Sequence, residues 1–193
     1  MSMNDDITDA DRAEWMAEVQ DTTEQWRQET LEGEPTLETQ TAHTAVEAAE
    51  VLDILVKGET YVAADVDPER TVRRASDETV KELGDVVVAH LGTMSMLGVD
   101  AGAYFLENRG AKSGGTPLEC AINTLDFATD IAQYVRHTKP GEKRAQMLCY
   151  GLLGLNEHTM DTVGVRMTDC VAAALEKNGA RAWDEHQDEA THD

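Results

Sequence analysis

The chain has 193 residues, of which 41% are hydrophobic, and carries 38 acidic residues against 16 basic ones, a net charge of −22. That size and composition suit a globular chain with a sizeable core, no run reaches the roughly 20 apolar residues of a membrane span, and so large an excess of carboxylates repels a nucleic-acid backbone. The opening MSMNDDITDADRAEW is acidic and lacks the apolar stretch of a secretory signal, so the expectation is a cytoplasmic location with neither membrane nor nucleic acid as partner.

In chain order, an amphipathic helix is predicted over about 8–31, with Thr8 or Asp9 as its N-cap, and EGEPT breaks it. A second helix runs over about 37–57 and stops at Gly58. The stretch ETYVAADVDPERTVRRASDE is polar, contains Pro68 and is locally basic, which reads as a loop or a partly helical insert. A third helix is expected over about 76–97 and a short fourth over about 100–112, ending at SGGTP. After Pro117 the pattern resumes with helices over about 118–137, 142–163 and 167–184, followed by a frayed tail, DEHQDEATHD. Strands with alternating Val, Ile, Thr and aromatics are not evident, so no sheet is expected. The class is all-α, an antiparallel helical bundle.

VDAGAYFLENRGAK (99–112) and TDCVAAALEKNGAR (168–181) align without gaps at an offset of 69. Upstream the match fades, since Gly151 and Gly154 lie 69 positions after Glu82 and Asp85. Either the second half is a decayed copy of the first, or two helical ends converged on similar chemistry. The provisional division is an N-terminal helix (1–36), a core (37–112) and a C-terminal helical lobe (113–193), which in the first case is degenerate.

The acids are spread along the chain and Lys is scarcer than Arg, a pattern that resembles proteins of salt-in halophiles. A single carboxylate is therefore most simply a solvated surface group, and a functional role must rest on spacing. Cys120, Cys149 and Cys170 lie far apart with no CxxC, which favours reduced, buried thiols over zinc ligation.

Two stretches stand out, HTAVEAAE (43–50) and KELGD (81–85). Residues three and four apart share a helical face, so Glu47 and Glu50 line up with Val51 and Ile54, and Glu82 and Asp85 with Val86 and Ala89. LGDVVVAHLGTMSML is apolar nearly all round and hence buried, with Asp85 inside it. A buried carboxylate costs several kcal/mol unless paired or bound to a cation. Lys81, one turn before Asp85, flanks the helix start and is better placed to reach solvent, so a metal shared with the other pair is the simplest compensation. Four oxygen donors suit Mg²⁺, or Mn²⁺, better than zinc, and the absence of Glu-x-x-His disfavours a di-iron site.

Glu-Ala-Ala-Glu on one helix, followed by Glu-Leu-Gly-Asp-Val on the next, resembles the ExxE…ExxD signature of MazG-like all-α nucleoside triphosphate pyrophosphohydrolases, with the likeness spanning roughly 37–112. The resemblance implies that Glu47, Glu50, Glu82 and Asp85 hold Mg²⁺ carrying the triphosphate, with Glu50 as the candidate general base. It also implies phosphate contacts from Asn108 and Lys112, with Arg109 as an alternative and Lys177, Asn178 and Arg181 as equivalents in the second half. The implied substrate is a nucleoside triphosphate, cleaved to monophosphate and pyrophosphate in nucleotide-pool cleaning, and the family's habit implies a homo-oligomer. A phosphoribosyl-ATP pyrophosphohydrolase and a non-catalytic helical interaction module are the alternatives. Val46 stands where many family members carry another Glu, and 31 residues separate Glu50 from Glu82, a long spacing. The second half lacks the carboxylate pattern; Asp126/Asp130 and Glu157/Asp161 are spaced four apart and read as exposed, so one catalytic site per chain is expected.

Trp15 and Trp26 read as packing residues on an amphipathic helix, and Trp183 is a further ring that could stack a base. His43 and His90 lie on the carboxylate-bearing helices and read as hydrogen-bonded structural groups, while Met94 and Met96 read as core. The basic ERTVRR (69–74) reads as pairing with acidic neighbours more than as a guide for phosphate.

Overall fold

The computed structural model describes residues 8–30, 35–67, 70–107, 115–135 and 142–190. Among them are seven helices: α1 (Asp9–Thr30), α2 (Leu37–Lys57), α3 (Asp77–Met96), α4 (Ala103–Glu107), α5 (Pro117–Tyr134), α6 (Lys143–Val163) and α7 (Met167–Ala190). The fold is an all-α bundle, as the periodicity implies.

Local chemistry sets most of the boundaries. Thr8 caps α1, its hydroxyl accepting from the Asp11 amide while the Asp11 carboxylate accepts from the Thr8 amide. Thr36 and Ser76 cap α2 and α3 by accepting from the amides three residues on. Thr116 and Glu119 form a reciprocal capping box at the start of α5, with Pro117 at its first position. Gly58 (φ +74) and Gly164 (φ +85) end α2 and α6 in the left-handed conformation that a side chain disfavours.

The loop expected after Gly58 is instead a two-stranded antiparallel hairpin, β1 (Tyr61–Asp67) and β2 (Arg70–Ala75). Tyr61 pairs with Ala75, Val62 with Arg74 and Ala64 with Val72, and a register irregularity falls between Asp65 and Asp67. Tyr61, Val62, Thr71 and Val72 are strand formers, and the Ser76 amide donating to Thr60 O (2.8 Å) closes the hairpin's base. The long spacing between Glu50 and Glu82 is thus the end of α2, this hairpin and the start of α3. Two helical expectations also change: among the described residues the fourth helix covers Ala103–Glu107, the rest of its expected span (108–112) lying outside them, and α7 runs on through the segment expected to fray, to Ala190.

α3 is the central helix, in contact with α1, α2, α6 and α7, while α2 also packs on α5 and α5 on α6. Every residue from Leu83 to Met94 is buried, so the all-round apolar character of this stretch is a consequence of position. The two long helix pairs make matching contacts. Thr44 and Thr93 pair their hydroxyls at 3.4 Å across α2 and α3, and Thr124 and Thr159 do so at 3.3 Å across α5 and α6. Between α3 and α6 the bonding is reciprocal: His90 Nε2–H donates to Cys149 O (3.0 Å), and Asn156 Nδ2–H donates to Leu83 O (3.1 Å). Asn156 and Cys149 lie 66 positions after His90 and Leu83 respectively. The three cysteines are free and buried, and burial pushes the Cys149 and Cys170 thiols up to about 12.

Candidate functional site

Helical spacing delivers the carboxylates of α2 and α3 to one point. Oxygens of Glu47, Glu82 and Asp85 all lie within 4.8 Å of one another. Glu50, the most exposed of the four, stands within hydrogen-bonding reach of Glu82. Its desolvation, the Glu47 charge and the contact with Glu82 raise its pKa above the usual carboxylate value. Asp85 is only 6% exposed.

The cation compensating Asp85 comes from a helix the sequence argument did not reach. Lys177 on α7 places its ammonium 2.5 Å from Asp85 Oδ2 and 3.1 Å from Glu82 Oε1. Burial works against this charge, but the two carboxylates outweigh it and hold the Lys177 pKa above that of an ordinary lysine. Desolvation still raises the Asp85 pKa, even with the ammonium opposing it. One ammonium among four acids leaves the cluster strongly negative, and Glu82 Oε2 is buried with no donor among the described residues. His43 Nε2 lies 2.8 Å from Glu47 Oε1, and that contact raises the His43 pKa.

Beside the cluster is a cavity of about 180 Å³. Val88, Ala89 and Gly92 of α3 form its apolar floor, Glu47 and Asp85 border it on the carboxylate side, and Asn178 of α7 reaches it. Thr23, Trp26 and Arg27 of α1 close it. Thr23 is 4% exposed, yet its hydroxyl finds no partner among the described residues. Gln40 spans α2 to α3, donating to Ala89 O (2.8 Å), and Gly92 makes room for that carboxamide, since an added Cβ would lie 2.7 Å from Gln40 Nε2.

The expected residues therefore divide into groups. Glu47, Glu50, Glu82 and Asp85 come together with Lys177, and Asn178 lines the adjoining cavity. Asn108, Arg109 and Lys112 lie outside the described residues, as do the side chains of Arg181 and Trp183. His90 is fully buried away from the cluster and bonded to Cys149 O; desolvation lowers its pKa to about 4, so it is neutral. Arg74 pairs with Asp77 at 2.9 Å, an exposed contact of the kind expected for the basic patch. Asp126, Asp130 and Asp161 are exposed, whereas Glu157 is half-buried and accepts from the Tyr104 hydroxyl (2.8 Å). Thr23, Arg27 and Gln40 carried no sequence signal, because which side chains line the cavity is set by how α1, α2 and α3 pack; of the three, Gln40 bonds across to α3, while Arg27 pairs with Glu24 on its own helix.

The chain matches no family model, no curated protein and no solved structure. The arrangement itself consists of hard oxygen donors, an unpaired buried carboxylate oxygen, a single ammonium and a neighbouring half-apolar cavity. The three converging carboxylates fit a divalent hard cation such as Mg²⁺ or Mn²⁺, and the softer His43 imidazole beside them is engaged by Glu47.

Proposed function

We propose that the protein is a Mg²⁺-dependent nucleoside triphosphate pyrophosphohydrolase of the MazG-like kind, acting in the cytoplasm to clear nucleotides. The observation carrying this reading is the meeting of Glu47, Glu50, Glu82 and Asp85 beside Lys177 and a cavity. Glu47, Glu82 and Asp85 would hold the metal, with Glu50 at their edge. The cation supplies neutralisation and orientation of the phosphates, which the carboxylates alone would repel.

In the proposed reaction a water oxygen bonds to the α-phosphorus while the bridging P–O bond to the β-phosphate breaks. Pyrophosphate leaves with the electron pair, and the water's proton passes to Glu50. Its elevated proton affinity and exposure suit it to that role. Lys177 and Asn178 are placed to meet phosphate oxygens. The cavity is below the ~300 Å³ of a typical whole-ligand pocket, and fits one planar ring with the phosphates outside it.

One site per chain is proposed, with the second half a decayed copy serving as an inert partner. The matched Thr–Thr pairs and the reciprocal His90 and Asn156 bonds support this. With α5 and α6 aligned on α2 and α3 by those pairs, Phe127 corresponds to Glu47, Leu148 to Glu82 and Gly151 to Asp85. The Phe127 ring sits where a Cβ on Gly151 would be 2.8 Å from it. A phenyl ring thus takes the space that carboxylates occupy in the first half.

The test is incubation with Mg²⁺ and a panel of NTPs, dNTPs and phosphoribosyl-ATP in high salt, with pyrophosphate and monophosphate as readout. Turnover is expected for a free nucleotide and should be lost in the double variant Glu82→Ala, Asp85→Ala. Hydrolysis surviving in that variant would overturn the site assignment. Absence of both turnover and metal binding would favour a non-catalytic helical module.

A further inference from the structure

Lys177 sits where a divalent cation would be drawn. Its ammonium hydrogens go to Asp85 Oδ2 and Glu82 Oε1, two of the three residues whose oxygens converge within 4.8 Å. It comes from α7, 92 residues beyond Asp85 in the chain, and its side chain is 19% exposed, so solvent does little to screen it. Thr23, whose buried hydroxyl has no partner among the described residues, is one of the residues that line the adjoining cavity.

Resting on the metal-dependent reading above, we propose that Lys177 is a tethered counter-cation that couples binding of the divalent metal to binding of the polyphosphate. A divalent cation entering alone meets an ammonium already bonded to its carboxylates, and the like charges oppose each other at close range. A polyphosphate entering alone meets four carboxylates. Entering together, the metal takes the oxygens of Glu82 and Asp85 while the ammonium turns to the phosphate, and every charge gains an opposite partner. Metal and polyphosphate thus bind cooperatively, and by linkage each raises affinity for the other by the same factor. The lysine holds the site closed to a stray divalent cation until the substrate's phosphates arrive with one.

The test is titration of the 193-residue chain with Mn²⁺ alone, followed by isothermal calorimetry, in the wild type, Lys177→Met and Lys177→Arg. Inorganic tripolyphosphate is then titrated into each Mn²⁺-loaded protein. Lys177→Met should bind Mn²⁺ alone more tightly, by a factor of roughly 5–150, and tripolyphosphate more weakly by a comparable factor. Lys177→Arg keeps the charge and should behave like the wild type in both titrations. Should Lys177→Met lose its helicity, Lys177→Gln replaces it, and the wild type alone must still bind tripolyphosphate more tightly when Mn²⁺ is present. A folded Lys177→Met or Lys177→Gln that binds Mn²⁺ as the wild type does, or more weakly, overturns the coupling role while leaving the metal site standing. No Mn²⁺ binding by any of these proteins overturns the metal reading and this inference with it.

Discussion

Gly84, the glycine inside KELGD, lies against the backbone carbonyl of Cys170, so close that an added Cβ would sit 2.0 Å from the oxygen. This contact sets the approach of α7 to α3 and hence brings Lys177 to Asp85. Gly84→Ala must push the two helices apart, since the obstacle is backbone and cannot rotate away. The expected cost is roughly 1–3 kcal/mol, read as a lower urea midpoint with unchanged slope. Gly179→Ala on the same α7 is the contrast, because its added Cβ meets nothing within 4 Å. That change should be stabilising by roughly 0.5–1 kcal/mol through helix propensity. Equal effects at the two glycines would contradict the packing described for α3 and α7.

A second prediction concerns acid stability. His90 is 1% exposed, and desolvation lowers its pKa from 6.5 to about 4. Between those two values the unfolded chain binds a proton that the folded chain refuses, so stability falls as pH is lowered through this window, and below it both states are protonated. Asn156 shows that an amide can make the same bond from the partner helix. His90→Gln, whose amide nitrogen reaches about as far as the imidazole Nε2, should keep the bond to Cys149 O and remove the proton linkage. Comparing urea midpoints near pH 7 and near pH 4.5, the wild type should lose on the order of 2 kcal/mol more than the variant. Parallel losses in the two proteins would show that His90 is not the linked group.

What could be read from sequence depended on the distance over which each feature acts. α2 matches its expected bounds, since Thr36 and Gly58 fix its ends locally, and the burial of α3 followed from its being apolar nearly all round. The four carboxylates were legible because two of them share each helix face. The hairpin was not, because Ala63, Ala64, Asp65 and the arginines dilute its strand formers and its stability comes from cross-strand pairing. Lys177 as the partner of Asp85 was hidden, because that pairing is set by how α7 packs on α3. The matching contacts do not share one offset: capping threonines Thr36 and Thr116 are 80 apart, the α3 and α6 partners 66, and the similar stretches 99–112 and 168–181 are 69 apart.

The start of α5 offers a local test of stability in the second half. Thr116 accepts from the Glu119 amide (3.3 Å), and the Glu119 carboxylate accepts from the Thr116 amide (2.8 Å). The Thr116 amide, and after it the Thr116 hydroxyl, both donating to the Glu119 carboxylate, hold its pKa below the usual carboxylate value. Thr116→Ala removes one side of the box and should cost about 1 kcal/mol of global stability. Because α5 packs on both α2 and α6, the loss should appear as a shift of the whole cooperative transition. A separate early transition would instead mean that the second half melts on its own.

The last prediction concerns salt. A net charge of −22 over 193 residues places many carboxylates within one another's field, and their repulsion opposes the compact state. Raising ionic strength from about 0.01 M to about 1 M shortens the screening length from ~30 Å to ~3 Å. Repulsion between exposed acids should then fade, while the Lys177–Asp85 contact, with Asp85 buried, should be little affected. The thermal midpoint followed by circular dichroism should therefore rise steadily with added KCl, and the halophile-like composition leads to partial loss of helicity or self-association without it. If the purified protein is fully helical and monodisperse with no added salt, and its midpoint does not move with KCl, the acidic surface is not an adaptation to salt.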